Sequence, residues 1–334
     1  MFASVLVVAL AVGVWVLFLR PDSDVVAGTP VQIEIPSGAS TTEIAERLSL
    51  AGVVINANMF RLQARLSQSD GDLKAGIYDL VAGLSYDQAI DELTRGPKVK
   101  YVTVTIPEGF VVEQIAERLE AEAGIPASEF LALAKGGAGE FVSGHSYLES
   151  AYAGSLEGYL FPKTYRIKEG STARDVIEMT LRQFDKEIAS IDIGPAEKRG
   201  LTMNELVTIA SMIEREAQLA KERPLVSSVI FNRLEKGMRL EIDATIEYVL
   251  PGNRFRLENR HLKIDSPYNT YMYKGIPPGP IANPGIESLR AAVDPADTDY
   301  MYYVLTGKDG SHTFATNFDE FLKAKQRSKE VFGE

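Results

Sequence analysis

Residues 31–48, VQIEIPSGASTTEIAERL, and residues 102–119, VTVTIPEGFVVEQIAERL, are two copies of one pattern that starts again 71 residues later (31 to 102). Each copy begins with apolar residues at alternate positions, which is the period of a half-buried strand. A Pro-x-Gly turn follows, and the apolar spacing then changes to that of an amphipathic helix. The repeat therefore predicts two strand–turn–helix units and an α+β fold.

A further strand and a further helix are predicted between the two copies, over residues 75–80 and 85–94. The strand, the turn and the Ile-Ala-x-x-Leu helix resemble LysM modules, which bind chains of N-acetylglucosamine. The resemblance implies glycan docking, although Pro-Gly turns and Ile-Ala pairs also recur in small α+β units without a ligand. We expect a LysM-like α+β module over residues 28–98, and a second strand–turn–helix unit with a linker over residues 99–150.

The composition of the 334-residue chain excludes several classes of function. The chain is 45% hydrophobic and 24% charged, which is enough for a sizeable core and more than one domain. Its net charge of -11 and its lack of a long basic run argue against a nucleic-acid partner. It has no cysteine, so disulfides, thiolate metal sites and thiol nucleophiles are excluded. No metal-ligand spacing is present, and we expect no metal and no cofactor, since the histidines lie far apart in sequence: His145, His261 and His312.

The N-terminal residues 1–19 are almost wholly apolar and carry no charge. About 20 helical residues span the hydrocarbon core of a bilayer, so the sequence predicts a transmembrane helix over residues 1–20. A cleaved signal peptide is the alternative, with a small-residue cleavage site at Val25-Val26-Ala27. We expect a single-pass protein of the cytoplasmic (inner) membrane, with its catalytic part on the extracytoplasmic side.

Residues 203–219 form a predicted apolar helix that carries two carboxylates near its end. Thr202 with Glu205 three residues later is a capping box. At about 100° per residue, Glu214 and Glu216 lie to either side of the apolar stripe, about 160° apart, so they cannot share a proton. Cleavage of a glycosidic bond needs a partly buried acid. Periodicity leaves open which glutamate is that acid, or whether both are solvated boundary residues.

A stiff loop follows downstream, because residues 275–285 contain four prolines and three glycines. Binding sites often lie on such loops, although a purely structural connection between a helix and the final strand is the alternative. The tyrosine and asparagine side chains just before this loop, at Tyr268 and Asn269, are suited to hydrogen bonds with hydroxyl and acetamido groups.

An ordered set of motifs resembles the endolytic murein transglycosylases of the YceG-like family. The resemblance extends from the N-terminus to about residue 320, and it implies a mixed α/β catalytic domain over residues 151–334 with its acid on a helix. Ala244 departs from the family pattern, in which proline is common at this position. The motifs that carry the resemblance are LEGYLFPKTY (156–165), ASMIERE (210–216), FNRL (231–234), GMRL (237–240), DAT (243–245), YNTY (268–271), GIPPGPI (275–281) and HTF (312–314).

The resemblance implies cleavage of the MurNAc–GlcNAc β-1,4 bond within glycan strands, which leaves a 1,6-anhydro-MurNAc end. It assigns the general acid/base to the second glutamate of the ASMIERE motif, Glu216, and it makes Glu214 a supporting residue. One carboxylate is enough, because the C6 hydroxyl of the substrate itself attacks C1. The expected substrate contacts are Tyr268, Asn269, Thr270, Glu157, Tyr159 and Glu214.

Two alternatives stay open at this point. A hydrolase would pair Glu216 with Asp243 or Asp265, because hydrolases normally use two carboxylates. A non-catalytic, membrane-tethered glycan-binding protein would rest on the repeat alone. The expected partners are peptidoglycan glycan strands, the cytoplasmic membrane and, as the resemblance implies, peptidoglycan synthases beside which the enzyme would terminate nascent strands.

Overall fold

The structure, a computed structural model, describes residues 26–250 and 257–333. The chain divides into two compact units between Lys100 and Tyr101. Each unit contains helices and at least one small antiparallel sheet, which confirms the predicted α+β class.

The first unit is built on one antiparallel strand pair, β1 (Pro30–Ile35) with β2 (Gly76–Val81). Ile33 and Tyr78 lie opposite each other, and both side chains are buried in the core of this unit. The described helices of the unit are α1 (Thr41–Leu50), α2 (Ala57–Leu66) and α3 (Tyr86–Arg95). Their apolar faces cover the inner side of the strand pair, as the alternating pattern of the strands requires.

The second unit contains two strand pairs, in which β3 (Tyr101–Thr105) pairs with β4 (Thr164–Lys168) and β5 (Tyr302–Leu305) pairs with β6 (His312–Ala315). Its described helices are α4 (Val112–Ala123), α5 (Ala127–Ala134), α6 (Ala173–Ile188), α7 (Gly194–Lys198), α8 (Met203–Glu216), α9 (Arg223–Glu235), α10 (Asp243–Val249), α11 (Ile286–Val293) and α12 (Phe318–Phe332).

Helix α8 lies at the centre of the second unit. Eight consecutive residues, from Leu206 to Ile213, are buried, so the helix is surrounded by protein and does not present the single apolar stripe predicted for it. The predicted capping box of Thr202 and Glu205 is present. The helix ends at Glu216, three residues before the predicted end, because Ala217 adopts an extended conformation. Glu216 therefore occupies the last turn, at the edge of the buried region.

Residues 101–150 share one core with residues 151–333, which differs from the predicted division into a separate unit and a catalytic domain. The reason is the pairing of β3 with β4, which joins the second repeat to the rest of the unit. The segment predicted as a linker forms short 3₁₀ turns instead, and Phe141 and Leu148 anchor it in the core.

The predicted membrane location needs correction. Across the described ranges, 26–250 and 257–333, no helix is long and apolar enough to cross a membrane. The segment over residues 1–20 on which that prediction rested lies outside the described residues. Membrane localisation therefore has no support from the structure.

Candidate active site

The two glutamates at the end of α8 have separate sets of partners. Glu214 contacts Arg223, Gly285 and Ser288, whereas Glu216 contacts Tyr303 and the backbone of Ala244. The two sets have no residue in common, which agrees with the divergence that helical periodicity predicts.

Glu214 is held on both carboxylate oxygens by groups of the protein. Its Oε1 accepts a hydrogen bond from the guanidinium of Arg223 at 3.3 Å. Its Oε2 accepts from the backbone N–H of Gly285 at 3.0 Å and from the hydroxyl of Ser288 at 2.7 Å. Only 7% of the side chain is exposed, so Glu214 fixes the start of α11 against α8 and has no oxygen free for a sugar.

Glu216 has the properties expected of a general acid. Its side chain is partly exposed, and its Oε2 accepts a hydrogen bond from the hydroxyl of Tyr303 at 2.9 Å. The protein around the carboxyl raises its pKa to about 7, chiefly by removing water from the charged form. The nearby charges of Asp243 and Glu247 add to this rise, and the hydrogen bonds from Tyr303 and Ala244 oppose it. A carboxyl with this pKa can carry a proton near neutral pH.

The other charged side chains near Glu216 are held in pairs. Asp243, at the start of α10, accepts a hydrogen bond from the Tyr271 hydroxyl. Glu247, one turn further along α10, forms a 3.2 Å ion pair with Arg215. Among the described residues, neither Glu216 nor Asp243 pairs with a cation, since each carboxylate accepts a hydrogen bond from a tyrosine hydroxyl instead.

Glu157, predicted to contact substrate, lies in a buried hydrogen-bond hub. Its Oε2 accepts from the backbone N–H of Val112 at 3.1 Å, and its Oε1 accepts from the side chain of Asn283 at 2.8 Å. Burial raises the pKa of Glu157 to about 8, more than its hydrogen bonds lower it. Asn283 also accepts from the backbone N–H groups of Gly158 and Leu160, at 3.0 and 2.9 Å. The hub therefore joins three segments that are distant in sequence.

Three more predicted substrate contacts are also buried, so the structure places them differently from the prediction. Asn269 uses its amide group to bond the backbone of its own loop, at Leu262, Ile264, Tyr271 and Met272. The hydroxyl of Thr270 accepts from the backbone of Ile242 at 2.9 Å. Tyr159 is fully buried, and its hydroxyl lies 3.4 Å from Asn204. These side chains shape the loops near the acid, because their polar groups are already used within the protein.

Tyr268 is the predicted contact that the structure leaves partly exposed. Its ring lies 5.1 Å from that of Tyr248 and 6.2 Å from that of Tyr152. Gly279 of the proline-rich loop packs against this cluster. If residue 279 had a Cβ atom, that atom would lie 3.1 Å from the Tyr268 hydroxyl. The three rings form an aromatic cluster with one strongly exposed member, Tyr152.

Sequence reasoning did not single out Tyr303, Asn283 or Arg223 as parts of this site. Asn283 falls within the proline-rich loop, and no local pattern separates Arg223 from the other cations of the chain. No local pattern marks Tyr303, which is one of three tyrosines between residues 300 and 303 and has His312 and Phe314 as ring neighbours. Within the described residues, no group of three or more His, Asp or Glu side chains is arranged to hold a metal ion.

Comparison with known proteins places this arrangement in a family. The sequence profile of the YceG-like family matches residues 33–327, nearly the whole chain. The chain belongs to the YceG-like family. The family and the enzyme class predicted from the ordered motifs are therefore confirmed.

Relatives of this YceG-like chain are named as murein transglycosylases. The Endolytic murein transglycosylase of Bacillus subtilis (strain 168) is 33% identical over 309 residues, which cover 90% of this chain and 85% of that protein. The Endolytic murein transglycosylase of Streptococcus pneumoniae (strain ATCC BAA-255 / R6) is 32% identical, over 87% of this chain and 57% of its own length. A crystal structure of a yceG-like protein from Listeria monocytogenes has a TM-score of 0.62 at 31% identity, over 89% of this chain and 99% of that one.

Proposed function

We propose that this chain is an endolytic murein transglycosylase in which Glu216 is the general acid/base. It cleaves the MurNAc–GlcNAc β-1,4 bond within peptidoglycan strands and leaves a 1,6-anhydro-MurNAc end. The observation that carries the proposal is the environment of Glu216: the residue is partly exposed, its carboxyl pairs with no cation among the described residues, and loss of water around the charged form raises its pKa to about 7.

The reaction needs one carboxyl that gives and then takes one proton. Protonated Glu216 donates its proton to the glycosidic oxygen while the bond between that oxygen and C1 breaks. The C6 hydroxyl of the same MurNAc forms a new bond to C1, and its proton passes to the Glu216 carboxylate. The enzyme ends in its starting protonation state, and water takes no part.

Substrate contacts in this proposal begin with Tyr268. The faces of sugar rings stack on aromatic rings, and Tyr152 beside Tyr268 is 43% exposed. Helix α10 runs from Asp243, which interacts with Glu216, to Tyr248 of the aromatic cluster. The same helix therefore links the neighbourhood of the acid to the aromatic cluster, and Asp243 and Tyr248 lie about 7.5 Å apart along its axis. We assign Asn269, Thr270, Glu157, Tyr159 and Glu214 to the support of this surface.

The proposal has two further parts. The first unit, with its strand pair β1–β2 and helices α1–α3, docks glycan strands in the manner implied by its resemblance to LysM modules. The enzyme terminates nascent strands beside the peptidoglycan synthases that make them. The first part is tested by adding chitin oligosaccharides or glycan strands to the full chain and monitoring the NMR chemical shifts of residues 26–100.

A two-carboxylate hydrolase is the second candidate, because the charge of Asp243 acts on Glu216. The two candidates give different products. Mass spectrometry of digested, purified glycan strands is expected to show anhydro ends. Reducing MurNAc ends, which weigh one water more, would overturn the transglycosylase in favour of the hydrolase.

The decisive variant is Glu216→Gln, which keeps the shape of the side chain and removes its proton chemistry. We expect a loss of activity of about 10²- to 10⁴-fold, the usual contribution of a general acid. Glu235→Gln, on an exposed position of α9, is the matched control and is expected to keep full activity. Full activity of Glu216→Gln would refute the role of Glu216, and an inactive wild type would favour a non-catalytic glycan-binding protein.

A further inference from the structure

Two groups from different parts of the chain interact with the carboxyl of Glu216. The hydroxyl of Tyr303, on β5, donates to Oε2 at 2.9 Å. The backbone of Ala244, in the first turn of α10, also interacts with this carboxyl and lowers its pKa. The two groups are 87 and 28 residues away in sequence (303 and 244 against 216), so only the fold brings them to the acid.

We propose that the Tyr303 hydroxyl and the Ala244 N–H form a two-donor clamp that positions Glu216 and stabilises its carboxylate after the proton has left. The proposal rests on the function proposed above. With Oε2 occupied by Tyr303, the proton to be transferred lies on Oε1. A hydrogen bond to a charged acceptor is about twice as strong as one between neutral groups, so the clamp acts most strongly once Glu216 is ionised.

Tyr303 is suited to donate rather than to ionise. Burial and the nearby Glu216 charge raise the pKa of the Tyr303 hydroxyl well above its ordinary value, so it keeps its proton. Its ring is held at its edge by His312, whose ring centre lies 5.6 Å away. His312 is itself fixed by Glu222, because its Nδ1 and its backbone N–H lie 2.8 and 3.1 Å from that carboxylate. His312 of the HTF motif thus fixes the position of the Tyr303 ring.

Residue 244 can supply a backbone donor because it is not a proline. Proline has no N–H, so a proline at this position would remove the second donor. Proline is tolerated in the first turn of a helix, and Pro224 occupies the corresponding second position of α9. Ala244→Pro is therefore a way to remove this donor while keeping α10.

Other charged groups also act on Glu216. Asp243 and Glu247 on α10 raise its pKa, and Tyr271 neighbours it from the loop before the proline-rich segment. Arg215, on the same helix, is paired with Glu247, and Arg233 acts on Tyr303. The clamp variants leave all of these groups in place, so a change in the pKa of Glu216 reports on the removed donor.

The test measures the pKa of Glu216 directly, by NMR titration of protein labelled with ¹³C at the glutamate carboxyl. The Glu216 signal is assigned by its loss in Glu216→Gln. Removing a donor to the carboxylate is expected to raise the pKa, since the donors lower it in the wild type. We expect Tyr303→Phe to raise it by about one unit, and Ala244→Pro to raise it by less. The controls are Tyr302→Phe, on the neighbouring position of β5, and Ala244→Gly, which keeps the N–H.

Kinetics give the second readout. Tyr303→Phe is expected to lower kcat about tenfold with little change in KM, and to move the alkaline limb of the pH profile upward from about 7. An unchanged Glu216 pKa in Tyr303→Phe, or an equal rise in Tyr302→Phe, would overturn the clamp. Should Tyr303→Phe not fold, the pair Ala244→Pro and Ala244→Gly decides by the same titration. The titration does not depend on turnover. A wild type that forms no anhydro products would therefore refute the proposed function, while the titration would still test the clamp.

Discussion

The two copies of the strand–turn–helix repeat form the same local structure in very different surroundings. Gly38 and Gly109 end the two turns with nearly the same left-handed backbone, φ +79° and +77°. At Gly38 nothing lies within 4 Å of where a Cβ would be, so that turn is open. At Gly109 a Cβ would lie 3.7 Å from the side chain of Glu214. One sequence pattern thus makes an open turn in one unit and, in the other, a turn that packs against Glu214, the glutamate that supports the site.

The second turn is bonded into the site through its backbone. The N–H of Gly109 donates to the carbonyl of Asn283 at 2.9 Å, and the N–H of Asn283 donates to the carbonyl of Phe110 at 2.8 Å. The side chain of Glu108 lies 3.7 Å from Arg223, the residue that also pairs with Glu214. The first copy has Ser37 at the position of Glu108. The difference shows that the turn geometry is local, while its use depends on what packs against it.

The largest effect is expected from Asn283→Ala, which removes the contacts that tie the second turn to the rest of its unit. The substitution removes the side-chain partner of the buried N–H groups of Gly158 and Leu160, and it removes one of the hydrogen bonds to Phe110 and to Glu157. We expect a loss of about 3–5 kcal/mol in the free energy of unfolding. Hydrogen exchange should become faster at the amides of β3 and stay unchanged at the amides of β1. Equal losses in both strands would break the comparison between the copies.

The next effect is a pH dependence of stability that only the second unit should show. Burial raises the pKa of Glu157 from 4.5 to about 8 in the folded state. A raised folded pKa means that the contribution of this carboxyl is fully present below pH 4.5 and is lost as the pH rises through about 8. The change is on the order of 1.4 kcal/mol for each unit of pKa shift.

Glu157→Gln tests this dependence, because an amide has no such titration. Denaturant unfolding of the second unit across pH 4 to 9 is expected to show the stability gap between variant and wild type moving in favour of the variant as the pH rises. A gap that stays constant over this range would contradict a raised pKa for Glu157.

A smaller effect is expected from the paired variants Gly38→Ala and Gly109→Ala. Both positions have positive φ, so alanine should cost each unit about 1 kcal/mol. Gly109→Ala should also reduce transglycosylase activity severalfold, because its turn adjoins Glu214 and Arg215. Activity assays at matched folded fractions separate the two effects. An equal activity for both variants would show that the second turn has no part in positioning the site.

The smallest effect is expected from Glu108→Ser, which gives the second turn the residue of the first. Burial and, after it, the Glu214 charge raise the pKa of Glu108, so removing this side chain takes away some repulsion as well as the contact with Arg223. Since the two effects oppose each other, the free energy of unfolding should change by less than about 1 kcal/mol, which thermal unfolding measures. A large loss of stability would mean that Arg223 needs both carboxylates.

Several elements follow from the sequence because they depend on near neighbours. The strand predicted over residues 75–80 and the helix predicted over residues 85–94 are present as Gly76–Val81 and Tyr86–Arg95, and the predicted capping box of Thr202 and Glu205 is formed. The buried Ile-Ala-x-x-Leu residues of both repeats also follow from their periodicity, with Ile44 in one core and Ile115 in the other. The predicted substrate contacts fared differently, since Asn269 and Thr270 are polar residues whose partners are backbone groups of their own and neighbouring loops. No local pattern separates such residues from ones that face a ligand.

The sequence alone determined the family, through the order of its motifs, and it determined that Glu214 and Glu216 point to different sides, because helical periodicity acts over a few residues. Only the tertiary structure decided what each glutamate meets. Gly285 and Ser288, more than 70 residues downstream, occupy both oxygens of one of them together with Arg223. The other receives Tyr303 and keeps part of its surface open. Desolvation and hydrogen bonding depend on whatever the fold brings within a few ångströms, and that proximity is not written in any local pattern.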